Sequence, residues 1–412
     1  ITKVARSLTK SSFRRNNASQ AEDVLRFPLE ENSFFKKVVI MKKTLAAVAV
    51  LGAFAGSALA ADVTLYGLVD LGVGYTQSDD GENKTDKVAM KSGMDSASRV
   101  GFIATEQIGD VTVGVKLENS FSADTGADGQ ATLMDGSKKN SFFNRETRLF
   151  VQGAYGEVGF GRFGALDSTT GPYNLAGSRI HGTTGVNDIG DTGVIFLGQN
   201  SRVENSIAYK SPEFAGARLF AQYATQEGEE NTHKGDRYYG LGLTYELGAF
   251  QATLVGSYED GNDTPTQDLK GEETKAYTAA VAYDFGVTTL KLAGQYFDNA
   301  YTEELNSNAL KAAQVDGGYV DGYGLTVSAV TPLFGGKLVT QVGYMEAEAA
   351  EDSKVEFDAW NIGALYYYNF SKRTSVYGGL GYTVQGVDVG YDGYDFDDVK
   401  TLNAALGMIH KF

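Results

Sequence analysis

Apolar and polar side chains alternate along this chain with a period of two residues, and this pattern constrains its fold most strongly. In the first such run, Val63, Leu65 and Val69 share one face, while Thr64 and Asp70 share the other. Similar runs recur at 111–118, 250–259 and 360–370. Each approaches the ~9–11 residues that a tilted membrane-spanning strand needs, and no stretch after Ala61 approaches the ~20 apolar residues of a spanning helix. The pattern therefore predicts an all-β chain, either a soluble sandwich or a membrane barrel.

The connections and the tyrosines favour the barrel. Tyrosines gather at the ends of the runs, as at Tyr75, Tyr223 and Tyr258, where a membrane barrel carries its aromatic girdles. Seven short connections alternate with eight long ones, among them 76–98, 164–200 and 346–357. Fifteen connections join sixteen strands, and short turns at one end with long loops at the other are typical of outer-membrane barrels. We therefore predict a 16-stranded antiparallel transmembrane β-barrel.

Composition excludes several classes of function. The chain contains 51 Gly, 24 Tyr, 23 Phe, 5 Pro and no Cys, so it has no disulfide or thiolate metal site. Residues 61–412 hold 26 basic and 48 acidic side chains, a formal charge of −22 that argues against nucleic-acid binding. This charge would repel anionic lipopolysaccharide unless divalent cations bridge the two, and Ca²⁺ at the acidic loops is an open alternative. No other cofactor is expected.

The first 60 residues are predicted to lie outside the fold. Met41 is the first methionine, Lys42 and Lys43 form a basic region, and an apolar segment ends at the A-x-A site 58–60. This is the pattern of a secretory signal peptide over 41–60, which leaves 61–412 as the mature barrel. Residues 1–40 contain no methionine and are interpreted as translated upstream sequence.

The chain ends in a further alternating run, in which Leu402, Leu406, Met408 and the terminal Phe412 share a face. This run is predicted to be the last strand, which closes the barrel. A terminal aromatic residue is also the signal that the machinery for outer-membrane barrel assembly recognises, so that machinery is a predicted partner.

Several segments together resemble the trimeric general porins of Gram-negative bacteria, especially those of beta-proteobacteria and Neisseria. They lie in the first half of the mature chain and at its end: VTLYGLVDLGVGY (63–75), SRVGFIATEQIG (98–109), LENSFSADTG (117–126), FFNRETRLFVQGAYGEVGFGRFG (142–164), NSIAYKSPEFAGARLFAQY (205–223) and Phe412. The resemblance implies an outer-membrane homotrimer in contact with lipid and lipopolysaccharide, through which small hydrophilic solutes and ions diffuse passively. It also implies that the third loop, 164–200, folds inward and narrows the pore.

The resemblance also implies a charged constriction, in which arginines of the barrel wall face acids of the inward loop. The matching residues of this chain are Arg99, Arg145, Arg202, the further wall candidate Arg162, and the loop residues Asp188 and Asp191, with Asp167 a weaker choice. Alternation places Arg202 on the polar face of its strand, together with Glu204 and Lys210. Charges at the narrowest point act through the least water, so these arginines favour anions, and the loop acids reduce this to a weak preference.

Alternation leaves the orientation of one arginine open. Arg145 shares a face with Leu149 and Val151, whereas Arg148 lies on the opposite face. A lipid-facing arginine costs about 2–4 kcal/mol at the bilayer midplane, so at most one of the two should face lipid. A bulge could reverse the assignment.

Other functions have less support in the sequence. Gly159–Gly164 fits G-x-G-x-x-G, but nothing helical follows it, so a dinucleotide site is improbable and the glycines are better explained by strand packing. A barrel hydrolase would need a histidine beside a nucleophile or an acid at one rim, and His181 and His410 indicate no such set. A barrel whose acidic loops bind calcium or a surface partner remains compatible with a pore.

Overall fold

The computed structural model describes residues 61–134, 138–175, 189, 192–225, 237–260, 273–301, 318–391 and 396–412. No helix among these residues is long and apolar enough to cross a membrane. One short 3₁₀ helix, Thr192–Val194, occurs in the described part. The strands are β1 Ala61–Asp79, β2 Lys84–Ser92, β3 Arg99–Ile108, β4 Val111–Ser120, β5 Gln130–Thr132, β6 Lys138–Asn140, β7 Glu146–Gly153, β8 Gly156–Gly164, β9 Arg202–Lys210, β10 Ala217–Thr225, β11 Arg237–Leu247, β12 Phe250–Asp260, β13 Glu273–Asp284, β14 Thr289–Tyr301, β15 Tyr319–Leu333, β16 Gly336–Ala349, β17 Asp352–Asn369, β18 Thr374–Val389 and β19 Val399–Lys411.

The strands close into an antiparallel barrel. On one edge, β1 pairs with β19 from Leu68 opposite Lys411 to Asp79 opposite Lys400. On its other edge, β1 pairs first with β3 and then with β2, so these two strands share one position in the wall. β5 and β6 form a separate hairpin. The described strands therefore occupy sixteen wall positions, which confirms the predicted 16-stranded barrel.

The two faces of the barrel wall follow the period-two pattern of the sequence. Val63 and Leu65 of β1 are 41% and 58% exposed on the outer face, whereas Asp70 is fully buried on the inner face. Tyr66 also faces inward, where its hydroxyl donates to Glu118 of β4. An apolar outer surface with polar groups inside is the inverse of a soluble sandwich and fits a bilayer environment.

Two predicted long connections are wrong. Within 76–98, β1 continues to Asp79 and returns as β2, and within 346–357 only residues 350 and 351 separate β16 from β17. Charged residues such as Lys84 and Asp86 are exposed along these stretches. Lys84–Lys87 of β2 are all polar, and in the second stretch the apolar residues Ala347, Ala349, Val355 and Phe357 are buried inside the barrel while Glu346 and Glu348 are exposed. The apolar-outward alternation that marks a membrane strand is therefore missing from both stretches.

The third loop joins β8 to β9, and its described residues, 165–175, 189 and 192–201, include side chains buried inside the barrel. Val194, Ile195, Phe196 and Leu197 are buried against inward side chains of β13–β18, such as Phe297 and Phe357. This interior position confirms the predicted inward fold of loop 3.

The wall beneath loop 3 carries glycines at the points of closest approach. A Cβ atom at Gly324 of β15 would lie 1.9 Å from the carbonyl oxygen of Ile195. At Gly381 of β18, it would lie 2.4 Å from the carbonyl oxygen of Ile189. Side chains at these two positions would lift the loop from the wall, so the absence of a Cβ allows the loop backbone to pack directly on the sheet.

The C-terminal residue completes the barrel at β1. The amide of Gly67 donates to the carbonyl oxygen of Phe412 at 3.1 Å, and the amide of Phe412 donates back at 3.0 Å. A Cβ atom at Gly67 would lie 2.3 Å from Cζ of the Phe412 ring and 2.7 Å from the carbonyl oxygen of Arg99. The terminal ring therefore occupies the space that a side chain at position 67 would need.

We expect Gly67→Val to destabilise the closed barrel by about 1–3 kcal/mol, because the added atoms overlap both a ring and the backbone. The measurement is the temperature at which the folded, fast-migrating form is lost on semi-native gel electrophoresis. Gly378→Ala of β18 is the matched control, since its Cβ would make only ordinary contacts from 3.4 Å. Equal unfolding temperatures for the two variants would contradict this account of closure.

Candidate functional site

Charged side chains converge on the inner face of β3, β4 and β7–β9, which we call the charged wall. Alternation aims Lys116 and Glu118 inward while Val115 and Leu117 face outward. The register places Glu118 opposite Glu146, and Glu157 opposite Lys210. The wall comprises Arg99, Lys116, Glu118, Arg145, Glu146, Arg148, Glu157, Arg162, Arg202, Glu204 and Lys210.

Glu118 is one centre of this wall. Its Oε1 accepts a hydrogen bond from Nε of Arg145 at 2.6 Å, and Nη1 of Arg99 lies 4.0 Å from the same oxygen. Its Oε2 accepts from the Tyr66 hydroxyl at 2.8 Å and lies 3.7 Å from Nζ of Lys116. Glu118 is only 6% exposed, so these cations compensate a carboxylate that has lost most of its water.

Glu146 and Glu157 form a second centre, joined by Arg148. The guanidinium of Arg148 donates to Glu146 at 2.8 Å and to Glu157 at 2.5 Å. Lys116 donates to Glu146 at 2.7 Å, and Lys210 donates to Glu157 at 3.3 Å. Glu146, Arg148 and Glu157 are all buried, so the network fixes the positions of its charges.

A further ion pair, between Arg162 and Glu204, connects the wall to the segment between β4 and β7. Nη1 of Arg162 donates to Glu204 of β9 at 2.7 Å, and its Nη2 donates to the carbonyl oxygen of Thr132 at 2.8 Å. The amide of Met134 donates to the other carboxylate oxygen of Glu204 at 3.1 Å. The β5–β6 segment is therefore held against the charged wall.

Arg202 differs from the other arginines. Within the described part of the chain it makes no ion pair, although Arg99, Arg145 and Arg162 are all close enough to repel its charge. Counting described residues only, the charged wall contains seven basic and four acidic side chains. Three positive charges are therefore in excess, and Arg202 is the arginine whose charge is least compensated.

The structure places both Arg145 and Arg148, whose orientation alternation left open, inside the barrel. Arg148 follows the alternation of β7, with Leu149 outward. Arg145 precedes β7, which begins at Glu146, so the alternation of that strand does not apply to it. Its backbone amide donates to the carbonyl oxygen of Glu118, and its side chain points to the same residue.

Of the three predicted loop acids, the structure describes only Asp167. Asp188 and Asp191 lie outside the residues that the structure describes, as does His181. Asp167 is described and is 1% exposed, with its Oδ1 accepting a hydrogen bond from Tyr238 of β11 at 2.9 Å. Asp167 thus belongs to the attachment of loop 3 rather than to the charged wall.

Sequence reasoning missed that the wall supplies its own counter-charges. Glu146 lies two residues before Arg148 on the inner face of β7, and Glu157 lies on the inner face of the neighbouring β8. Registering the polar faces of β4, β7 and β8 against one another would have identified both. The G-x-G-x-x-G motif belongs to β8, where Gly161 has φ +123° and a Cβ would overlap the carbonyl oxygen of Thr147.

The chain is similar in sequence and fold to known outer-membrane proteins. A family model described as Gram-negative porin matches residues 46–386. An outer membrane porin protein of Bordetella pertussis is 25% identical over 90% of this chain and 100% of its own length. An anion-selective porin from Comamonas acidovorans has a similar fold, with a TM-score of 0.60, 23% identity, and coverage of 85% of this chain and 100% of its own. OmpT of Vibrio cholerae, in a trimer form, gives a TM-score of 0.58 at 15% identity over 86% of this chain and 100% of its own.

We expect Glu118→Gln to destabilise the barrel by roughly 3 kcal/mol, because the substitution leaves Arg99, Lys116 and Arg145 without their shared carboxylate. Chemical denaturation in detergent, followed by tryptophan fluorescence, measures the loss. Glu106→Gln is the control, since Glu106 is exposed and lies on β3, the strand that pairs with the Glu118 strand β4. A loss no larger than that of the control would show that the Glu118 centre does not stabilise the wall.

Proposed function

Because this chain belongs to the Gram-negative porin family and is an outer-membrane channel for passive diffusion of small hydrophilic solutes, we propose that the charged wall and loop 3 form its constriction. Loop 3 packs on β13–β18, so the open passage lies between the loop and the charged wall on the opposite side. The observation that carries the proposal is the convergence of eleven charged side chains on one inner face at the level where loop 3 enters. Asp188 and Asp191 remain candidate counter-charges on the loop.

The excess of positive charge supports a weak preference for anions. Arg202 and the partly compensated Arg99 act at close range on a passing ion, through little intervening water. The formal charge of −22 on residues 61–412 acts in the opposite direction, but much of it lies in solvated loops where salt screens it. The similar fold of an anion-selective porin is consistent with this preference.

Family membership indicates a channel rather than an enzyme. His410 lies on the outer face of β19, and its Nδ1 is 2.9 Å from the hydroxyl of Thr374. Among the described residues no group of three or more His, Cys, Asp or Glu side chains could hold a metal ion. Binding of a partner or of Ca²⁺ by the acidic loops would add to the channel function rather than replace it.

The distribution of aromatic residues supports a homotrimer. The outer face of β10–β18 carries a girdle in which neighbouring rings lie 5–6 Å apart, as between Tyr223 and Tyr239 at 5.1 Å and between Trp360 and Tyr382 at 5.6 Å. By contrast, β3, β4, β7 and β8 contain no Tyr or Trp. Tyr and Trp mark the level of lipid headgroups. The outer face of these four strands, with Tyr155 exposed at the β7–β8 turn but no Tyr or Trp in the strands themselves, is the proposed contact surface between subunits.

We expect Arg202→Gln to shift the reversal potential in a KCl gradient toward cations, because it removes about one third of the excess positive charge of the wall. Arg99→Gln should shift it in the same direction. Arg218→Gln serves as the control, since Arg218 pairs with Glu213 at 2.6 Å, next to a short turn away from the wall. Unchanged reversal potentials for both wall variants would remove these arginines from the constriction, and electrically silent folded protein would contradict the pore itself.

The proposed trimer contact is tested by spin labels at two matched positions. Leu149 of β7 and Leu325 of β15 are 47% and 48% exposed on the outer face, and the chain has no native cysteine. We expect a nitroxide on Leu149→Cys to be immobilised by the neighbouring subunit and one on Leu325→Cys to move freely among lipids. Equal mobility would exclude this contact surface, and a native mass other than three chains would exclude the trimer.

A further inference from the structure

The barrel wall is interrupted between β2 and β3, which both pair with β1. β2 ends opposite Leu71 of β1, and β3 begins opposite Leu68. Between these two points β1 contributes two residues, Val69 and Asp70, whereas the facing chain contributes six, 93–98. Six residues cannot pair with two, so the surplus leaves the sheet. Lipid offers no hydrogen-bond partner to a free backbone group, so the surplus is accommodated on the inner side of the wall. We call residues 93–98 the inward bulge.

The inward bulge is packed inside the barrel. Met94 and Asp95 are 6% and 8% exposed. A Cβ atom at Gly72 of β1 would lie 2.5 Å from Cε of Met94, so the methionine lies directly on the wall. Asp95 accepts a hydrogen bond from the hydroxyl of Tyr367 on β17. The inward bulge therefore extends over the inner face from β1 as far as β17.

Asp70 supplies the hydrogen-bond acceptors that the inward bulge needs. Its Oδ2 accepts the backbone amides of Asp95 and Ser96 at 2.8 Å each, and its Oδ1 accepts from the Tyr377 hydroxyl of β18 at 2.7 Å. Asp70 is fully buried, and no described cation forms an ion pair with it. Hydrogen bonds from backbone amides to an ionised carboxylate are among the strong ones, so this side chain fixes the middle of the bulge.

The backbone of the same residue fixes both ends of the inward bulge. The amide of Asp70 donates to Oγ of Ser98 at 3.0 Å, and the Ser98 hydroxyl donates to the carbonyl oxygen of Asp70 at 3.1 Å. The amide of Gly93 donates to that carbonyl oxygen at 2.9 Å. The bulge is thus attached at its start, middle and end to one residue of β1.

The inward bulge ends at Arg99, whose side chain it also holds. Nε of Arg99 donates to the carbonyl oxygen of Ala97 at 2.8 Å. Nη1 lies 4.0 Å from Oε1 of Glu118, which is too far for a hydrogen bond. Among the described residues, Ala97 is therefore the only hydrogen-bond partner of this guanidinium, and the position of its charge depends on the bulge.

We propose that Asp70 is a positioning residue of the constriction, which fixes the inward bulge and, through the carbonyl group of Ala97, keeps the charge of Arg99 in the passage. The proposal rests on Arg99 facing the passage, and it identifies the residue that places it there. The direct and indirect effects of Asp70 have opposite signs. Its own negative charge favours cations, whereas the arginine that it positions favours anions.

The experiment measures the reversal potential of the full-length barrel in planar bilayers under a KCl gradient. Asp70→Ala removes three acceptors, and we expect a shift toward cations that is no larger than that of Arg99→Gln. Asp62→Ala is the matched control, since Asp62 is an exposed acid on the same strand. It removes the same charge without a contact to the bulge, so it should give at most a small shift toward anions.

A second variant disturbs the inward bulge without any change of charge. Ser98→Ala removes both hydrogen bonds of the Ser98 hydroxyl with the Asp70 backbone and should also shift the reversal potential toward cations. Ser328→Ala, at another buried serine of the inner face, on β15, should leave it unchanged. In Asp70→Ala/Arg99→Gln we expect no further shift toward cations beyond Arg99→Gln alone, because both substitutions act through one charge.

The position of the inward bulge is read independently of any current. The chain has no native cysteine, so a nitroxide on Ala97→Cys reports the bulge alone. We expect the label to be immobilised in the otherwise unchanged protein, to become mobile when Asp70→Ala is added, and to stay immobilised with Asp62→Ala.

The outcomes separate this proposal from that of the constriction. A shift of Asp70→Ala toward anions, shifts that add fully to those of Arg99→Gln, or an unchanged label mobility would overturn the positioning role and leave the pore intact. If Asp70→Ala mobilises the label while neither it nor Arg99→Gln changes the reversal potential, Arg99 lies outside the passage and the constriction fails instead. Semi-native electrophoresis identifies folded variants, and if Asp70→Ala does not fold, Ser98→Ala and its label decide the question.

Discussion

Backbone hydrogen bonding in an apolar solvent is the constraint on which this structure depends. A bilayer offers no partner for a free amide or carbonyl group, so a sheet placed there must have no open edge. β1 satisfies this condition by pairing with β19 along one edge and with β2 and β3 along the other. The last residue takes part, because Phe412 exchanges two backbone hydrogen bonds with Gly67. Closure in turn creates an interior, and everything functional in this protein is built inside it.

Once the barrel is closed, the interior must compensate its own charges. Inward-facing arginines on adjacent strands would repel one another strongly if water were their only partner at close quarters. Acids and bases alternate along the strands, as Lys116 and Glu118 do on β4 and Glu146 and Arg148 on β7, and the ion pairs run within a strand or diagonally between strands. Most of the wall is therefore balanced within the sheet. The residual charge is then determined by the few groups that lack a partner among the described residues, above all Arg202. A small net charge at a narrow point is what a weakly selective diffusion pore requires.

Period-two alternation was sufficient to predict the strands, their inward and outward faces and the number of wall positions, because a bilayer imposes that pattern strictly. It failed where strands rise beyond the bilayer, as at Lys84–Ser92, since nothing there demands an apolar face. It also left Arg145 open, because the strand begins one residue later than simple alternation assumes. The ion pairs between strands could not be predicted from the sequence for a different reason. They depend on which residues lie opposite each other on neighbouring strands, and a single strand's sequence does not contain that register.

The interior is divided into two halves with different chemistry, and loop 3 explains the division. The wall under the loop presents small or apolar residues such as Ala280, Ala293 and Ala359, with glycines where the loop backbone lies closest. The opposite wall presents ion pairs. A loop that crosses the interior has to be held on one side, and apolar contact holds it there without placing charges where they would lack water. The polar anchor that remains on that side, Asp167, accepts a hydrogen bond from the Tyr238 hydroxyl instead of pairing with a described cation, so the division into an apolar half and a charged half holds at the attachment of the loop as well.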